Sequence, residues 1–102
     1  MVKLVAVYST PPDKAAFDKH YFQNHLPLAK KMPGLLKCEI ERPTGSPVPG
    51  TDVPHLVAHM YFKDADARLA ALNSPEGKAA GKDLMAFAGK SVRMIFCEVI
   101  EA

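Results

Sequence analysis

The first hydrophobic block, VKLVAVY at residues 2–8, is apolar at nearly every position and β-branched at three of them. That pattern predicts a strand buried on both faces. Thr10-Pro11-Pro12-Asp13 breaks it and offers helix-start chemistry, an N-capping Thr or Asp with proline close by. A helix is predicted from there to about Met32, where Pro33-Gly34 ends it. LLKCEIER (35–42) alternates, with Leu36, Cys38 and Ile40 on one face and Lys37, Glu39 and Glu41 on the other, as in a half-exposed edge strand. The proline-rich segment 43–54 is a loop, longer than an ordinary hairpin connection and of the length that serves as a lid or arm. HLVAHMYF (55–62) predicts a third strand. Asp64 and Asp66 open a helical stretch to about Asn73, Ser74-Pro75-Glu76 restarts it, and Gly89 closes it after Ala88. SVRMIFCEVI (91–100) is the last strand.

The order β-α-β-β-α-β predicts an α+β, ferredoxin-like sandwich: one four-stranded antiparallel sheet with the helices on one face. Residues 1–102 form a single domain of that size. The second and fourth strands occupy opposite edges, which separates Cys38 from Cys97 by roughly 14 Å and excludes a disulfide between them. Both faces of the first and last strands are apolar, Leu4 and Ala6 against Val5 and Val7, and Val92, Met94 and Phe96 against Ile95, Cys97 and Val99. The helix-free face therefore needs a cover, and a second copy of the chain supplies one: a homodimer through the sheet is expected.

Within FDKHYFQNHLPLAKKMPG (17–34), helical spacing puts Phe17, Tyr21, Asn24, His25, Leu28 and Met32 on one face and His20 on its shoulder. Such a stripe can simply be core. Yet Tyr, Asn and two His on a buried side are costly to satisfy unless they line a cavity. Pro27 also removes a helical hydrogen bond near Gln23, loosening the chain beside His25.

Composition narrows the reading. Hydrophobic residues are 48% and charged residues 24%, as in ordinary globular proteins, and the net charge of +2 does not suggest nucleic acid or an anionic membrane. There is no apolar run long enough for a membrane span and no secretory-leader pattern at the start, so the cytoplasm is the expected location. The same strand order builds RNA-recognition modules, but HLVAHMYF lacks their glycines and charges.

The pattern F-x-x-H-Y-x-x-x-H-x-P-L-x-x-x-x-P-G, carried by Phe17, His20, Tyr21, His25, Pro27, Leu28, Pro33 and Gly34, resembles the signature of the EthD family, named for an ethyl tert-butyl ether degradation cluster. The opening VKLVAVYSTPPDKAAFD, the strand at 55–62 and NSPEGKAAGKDLMAFA at 73–88 extend the resemblance over the chain, although many members carry Tyr where His20 stands. The resemblance implies a dimeric α+β barrel. Its wider superfamily includes muconolactone isomerases, cofactor-free quinol-type monooxygenases, polyketide cyclases and haem-handling enzymes, which use the pocket between helices and sheet.

The side chains themselves suggest cofactor-free proton transfer on a small oxygenated organic compound. His25 is the candidate general base or acid, Tyr21 the group that orients a substrate oxygen or stabilises an enolate, and His20 an assistant at the mouth. Phe17, Asn24, Leu28, Tyr8 and Tyr61 are candidate substrate contacts. Strand alternation puts His59 and Tyr61 on one face and Phe62 on the other, so these cannot all line one pocket. No metal site is expected, because neither His20 with His25 nor His55 with His59 has chelating spacing. No cofactor is expected either, the alternative being a non-catalytic small-molecule or haem-binding dimer. Gly77 and Gly81, among Ala79, Ala80 and Ala88, read as a small-residue surface for close packing against the sheet.

Overall fold

A computed structural model describes all residues 1–102. The sheet has the order β2-β3-β1-β4, every pair antiparallel: β1 (Val2–Tyr8) lies between β3 (Leu56–Phe62) and β4 (Val92–Glu98), and β2 (Lys37–Glu41) pairs with β3 at the other edge. Between β1 and β2 run α1 (Lys14–His20), a π-helical turn (Tyr21–His25) and α2 (Leu26–Ala29). Between β3 and β4 run α3 (Ala65–Asn73) and α4 (Pro75–Ala88). This is the ferredoxin-like fold, with its helices on one face of the sheet.

The helix starts are set by side chains. Asp13 accepts from Ala16 N–H, Asp64 from Ala67 N–H and Ser74 from Gly77 N–H, at 2.8–3.0 Å, with Pro75 in the first turn of α4. The first helix begins after Asp13 rather than at Thr10. It frays through tighter turns from Lys31 to Met32 and ends at Gly34, whose φ of +81° suits glycine. The segment 43–54 has no regular structure and is largely exposed.

Register decides which side chains meet the helices. Val2, Leu4, Ala6 and Tyr8 of β1 align with Leu56, Ala58, Met60 and Phe62 of β3 on the inner face, where Tyr8, Leu56 and Phe62 are fully buried. Burying a side chain of this size contributes about 1.5–3 kcal/mol each. One core cluster joins Tyr8, Phe17, Tyr21, Leu84 and Ala88, and a second joins Leu4, Ala29, Met32, Met60 and Ala80. The outer face carries Val5 and Val7 of β1, His59 and Tyr61 of β3, and Ile95 and Cys97 of β4. Cys38 and Cys97 are free thiols on opposite edges and opposite faces. No helix is long and apolar enough to cross a membrane.

Candidate functional site

The π-helical turn is the local feature on which the site depends. Leu26 N–H bonds to the carbonyl of Tyr21, five residues back, and Pro27 has no N–H to continue an α-helical ladder. The loosening expected beside Pro27 thus takes the form of one widened turn. A wider turn rotates less per residue, so the five residues from His20 to His25 bring the two imidazoles round to the same side. In a regular α-helix they would diverge by about 140°.

Both imidazoles converge on one carboxylate. Asp83, on α4, accepts from His20 Nε2 at 2.9 Å (Oδ1) and 3.1 Å (Oδ2), and from His25 Nδ1 at 3.0 Å (Oδ2). A carboxylate only accepts, so each ring must donate there. His25 is then protonated on Nδ1, which leaves the lone pair on Nε2. Asn24 Nδ2 donates to His20 Nδ1 at 3.3 Å, completing a chain Asn24, His20, Asp83, His25 in which both rings can be neutral. Phe87, one turn beyond Asp83, packs tilted against both, with ring centroids at 4.4 Å from His20 and 5.2 Å from His25.

His25 is 5% exposed. Burial, the largest influence, holds its pKa below the ordinary 6.5 against the opposing pull of Asp83, and nearby His20 acts in the same direction as burial. Its Nε2 has no protein partner and is not sealed from solvent. The ring forms part of the wall of a cavity of about 300 Å³ between α2, α4 and the sheet, otherwise lined mainly by Leu4, Met32, Met60, Leu84 and Met85.

On the other side of His25 lie the tyrosines. Tyr21 packs 5.5 Å from His25 and 5.4 Å, edge to face, from Tyr8, and Phe17 sits 5.3 Å from Tyr8. Tyr8 and Tyr21 are 1% and 2% exposed, yet neither hydroxyl bonds to a protein atom and neither is sealed off. Burial raises both phenol pKa values, with Asp83 adding to the effect at Tyr8, so both remain protonated donors. Each hydroxyl is therefore open to a bound water or a ligand oxygen.

Other residues of the expected set fall elsewhere. Asn24 is exposed and reaches the network only through His20, and Leu28 is half-buried while Ala29 takes the inward position. The π-turn shifts the phase here, so that the inward series becomes Phe17, Tyr21, His25, Ala29, Met32. Tyr61 lies on the outer sheet face with His59, away from the cavity; its hydroxyl donates to Glu39 at 2.8 Å while His59 Nε2 donates to Glu41 at 2.7 Å. His55 belongs to a separate cluster, with Nε2 2.8 Å from Asp18, which also accepts from Arg42 at 2.9 Å. No three His, Cys, Asp or Glu side chains are grouped to hold a metal ion. Asp83 and Phe87 were not singled out in the sequence. The available signal was a lone carboxylate four residues before an aromatic, within the otherwise small and apolar DLMAFA run.

The sequence profile of the EthD domain matches residues 10–91. The chain belongs to the EthD family. An EthD family protein from Bacillus halodurans C-125, known from its crystal structure, is 44% identical, with a TM-score of 0.92 over 98% of this chain and 99% of that one. An uncharacterised 11.0 kDa protein in the thcB-thcC intergenic region of Rhodococcus erythropolis is 32% identical over 101 residues, covering 96% of this chain and 94% of its own. SnoaB, a cofactor-independent oxygenase from Streptomyces nogalater, shares the fold at 18% identity and a TM-score of 0.68, over 99% of this chain and 94% of that chain. Membership fixes the family, while the roles of His20 and His25 rest on the geometry above.

Proposed function

We propose that this EthD protein carries out cofactor-free proton transfer, of isomerase, cyclase or monooxygenase type, on a small oxygenated organic compound held between helices and sheet. The observation that carries the reading is the setting of His25: fixed through Nδ1 by Asp83, its pKa held below the ordinary 6.5 by burial, with Nε2 unpaired and the ring lining an apolar cavity. In this reading His25 Nε2 removes a proton from the substrate and returns it, and Asp83 stabilises the imidazolium formed in between. Tyr21, with Tyr8 behind it, packs against the His25 ring and fixes its orientation from outside the cavity lining. His20 and Asn24 are positioning residues that hold Asp83, and Phe17 and Phe87 keep the rings in place. SnoaB shows that this fold can host an oxygenase without a cofactor, an analogy of fold only.

The working form is a homodimer through the outer sheet face, in the cytoplasm. Support comes from Val5, Val7 and Ile95 on a face that no helix covers, with Ile95 39% exposed.

The test is a panel of lactones, quinols and polyketide-like aromatics assayed for turnover and for thermal stabilisation, comparing wild type with His25→Gln. Turnover lost in the variant with stabilisation retained supports the reading. Stabilisation in both proteins and turnover in neither makes the protein a carrier and refutes it.

A further inference from the structure

We propose that Gly81 sets the size of the molecule admitted to the His25 cavity and that this molecule is a small, largely apolar acid whose anionic oxygen meets Lys78, an inference that rests on the proton-transfer reading of the same site. The face of α4 turned to the cavity carries Gly77, Lys78, Gly81, Leu84 and Met85, the spacing of one helical stripe. Its two glycines are there for different reasons. At Gly77 a Cβ would lie 2.1 Å from the Ala71 carbonyl oxygen and 2.8 Å from Leu72 Cα, so glycine is what lets α3 and α4 touch. That packing is helix against helix, not helix against sheet as the sequence suggested.

At Gly81 a Cβ would meet nothing within 4 Å, and its φ is not in the left-handed region. Neither packing nor backbone conformation requires glycine, which costs about 1 kcal/mol relative to alanine inside a helix. What a side chain would occupy is the opening. Gly81 is itself exposed and lines the cavity together with Met85 and Met94, which are 57% and 41% exposed, so these three stand where the cavity meets solvent. The methionines form flexible lips, while Gly81 leaves the gap.

The cavity also limits the chemistry of its occupant. About 300 Å³ holds roughly fifteen non-hydrogen atoms at about 20 Å³ each. Of the lining residues only His25 and Lys78 carry ionisable groups. Lys78 is exposed, belongs to none of the ion pairs and lies one turn before Gly81, so its charge is available to an acid at the mouth. The apolar body of such a ligand then runs inward over Leu4 and Met60 toward His25.

The test is a binding titration of the full chain with 2-naphthoate, which is within that size, and with its neutral analogue 2-naphthylmethanol. Wild type binds the acid more tightly than the alcohol. Gly81→Leu weakens both by about tenfold or more, whereas Gly81→Ala melts higher than wild type and loses less, which shows that the fold tolerates a side chain at this position. Lys78→Met weakens the acid and leaves the alcohol unchanged. Binding by Gly81→Leu equal to wild type, wild type favouring the alcohol, or wild type binding neither probe overturns the proposal. Turnover by His25→Gln bears only on the proton-transfer reading, so the two can fail separately.

Discussion

Replacing Asp83 by asparagine changes one oxygen to nitrogen with almost no change of shape, and strikes the point where three elements meet. The carboxylate accepts from both imidazoles at 2.9–3.1 Å. The His25 bond is largely dry, with side chains 7% and 20% exposed, and a charge-assisted bond of that kind is worth about 1.5–3 kcal/mol. The His20 side chain is 33% exposed, so its bond belongs with surface pairs at about 0–1 kcal/mol. An asparagine oxygen can still accept from one ring, returning about 1 kcal/mol. The expected net loss is about 2 kcal/mol, which moves the urea midpoint down by about 1 M for a slope of about 2 kcal/mol per M. The amide N–H also forces a ring facing it to accept, which drives the His25 proton to Nε2 and removes the base. Urea unfolding followed by circular dichroism at neutral pH measures the first effect, and turnover on any substrate found measures the second, with an expected loss of about 10²–10⁴. A midpoint within about 0.3 M of wild type together with full turnover would refute the coupling.

Further outcomes follow from other parts of the molecule. The depressed pKa of His25 means that below the ordinary 6.5 the unfolded chain takes up a proton that the native chain resists, so stability falls with acid from there down to the folded pKa; urea midpoints against pH should lose that component in His25→Gln. Gly77→Ala must push a Cβ into a backbone carbonyl and should cost about 1–3 kcal/mol, seen as a lower melting temperature, and an unchanged melt would contradict the contact between α3 and α4. Ile95→Glu places a charge on the outer sheet face and should convert a dimer to a folded monomer by light scattering; a persisting dimer would move the interface elsewhere.

The fold was legible because strand and helix periods do not compete anywhere in this chain. VKLVAVY and HLVAHMYF could only be strands, and the loop at 43–54 is written in proline and glycine. Residue-level placement on the first helix was harder. Projection at 100° per residue is correct up to Tyr21, then fails where the π-turn fits an extra residue into one turn, so it puts Asn24 and Leu28 inward while the true series continues through His25 to Ala29. Pro27 signalled that the ladder loosens but not that it would widen. The same projection set the two histidines apart, and so hid their common partner. Asp83 lies 58 residues from His25, and only tertiary packing of α4 beside the π-turn joins them. For β3, alternation correctly separated Tyr61 from Phe62, but nothing local to the strand says which face turns to the helices.

The central claim is that His25 is a neutral base held by Asp83 through Nδ1–H. Nitrogen-resolved NMR of the imidazoles, titrated from neutral to acid pH, reads both parts at once. The account predicts the Nδ1–H tautomer for His25 in wild type, a protonation midpoint below 6.5, and a switch toward the Nε2–H tautomer in Asp83→Asn. An Nε2–H tautomer in wild type, or a midpoint at or above 6.5, would contradict it.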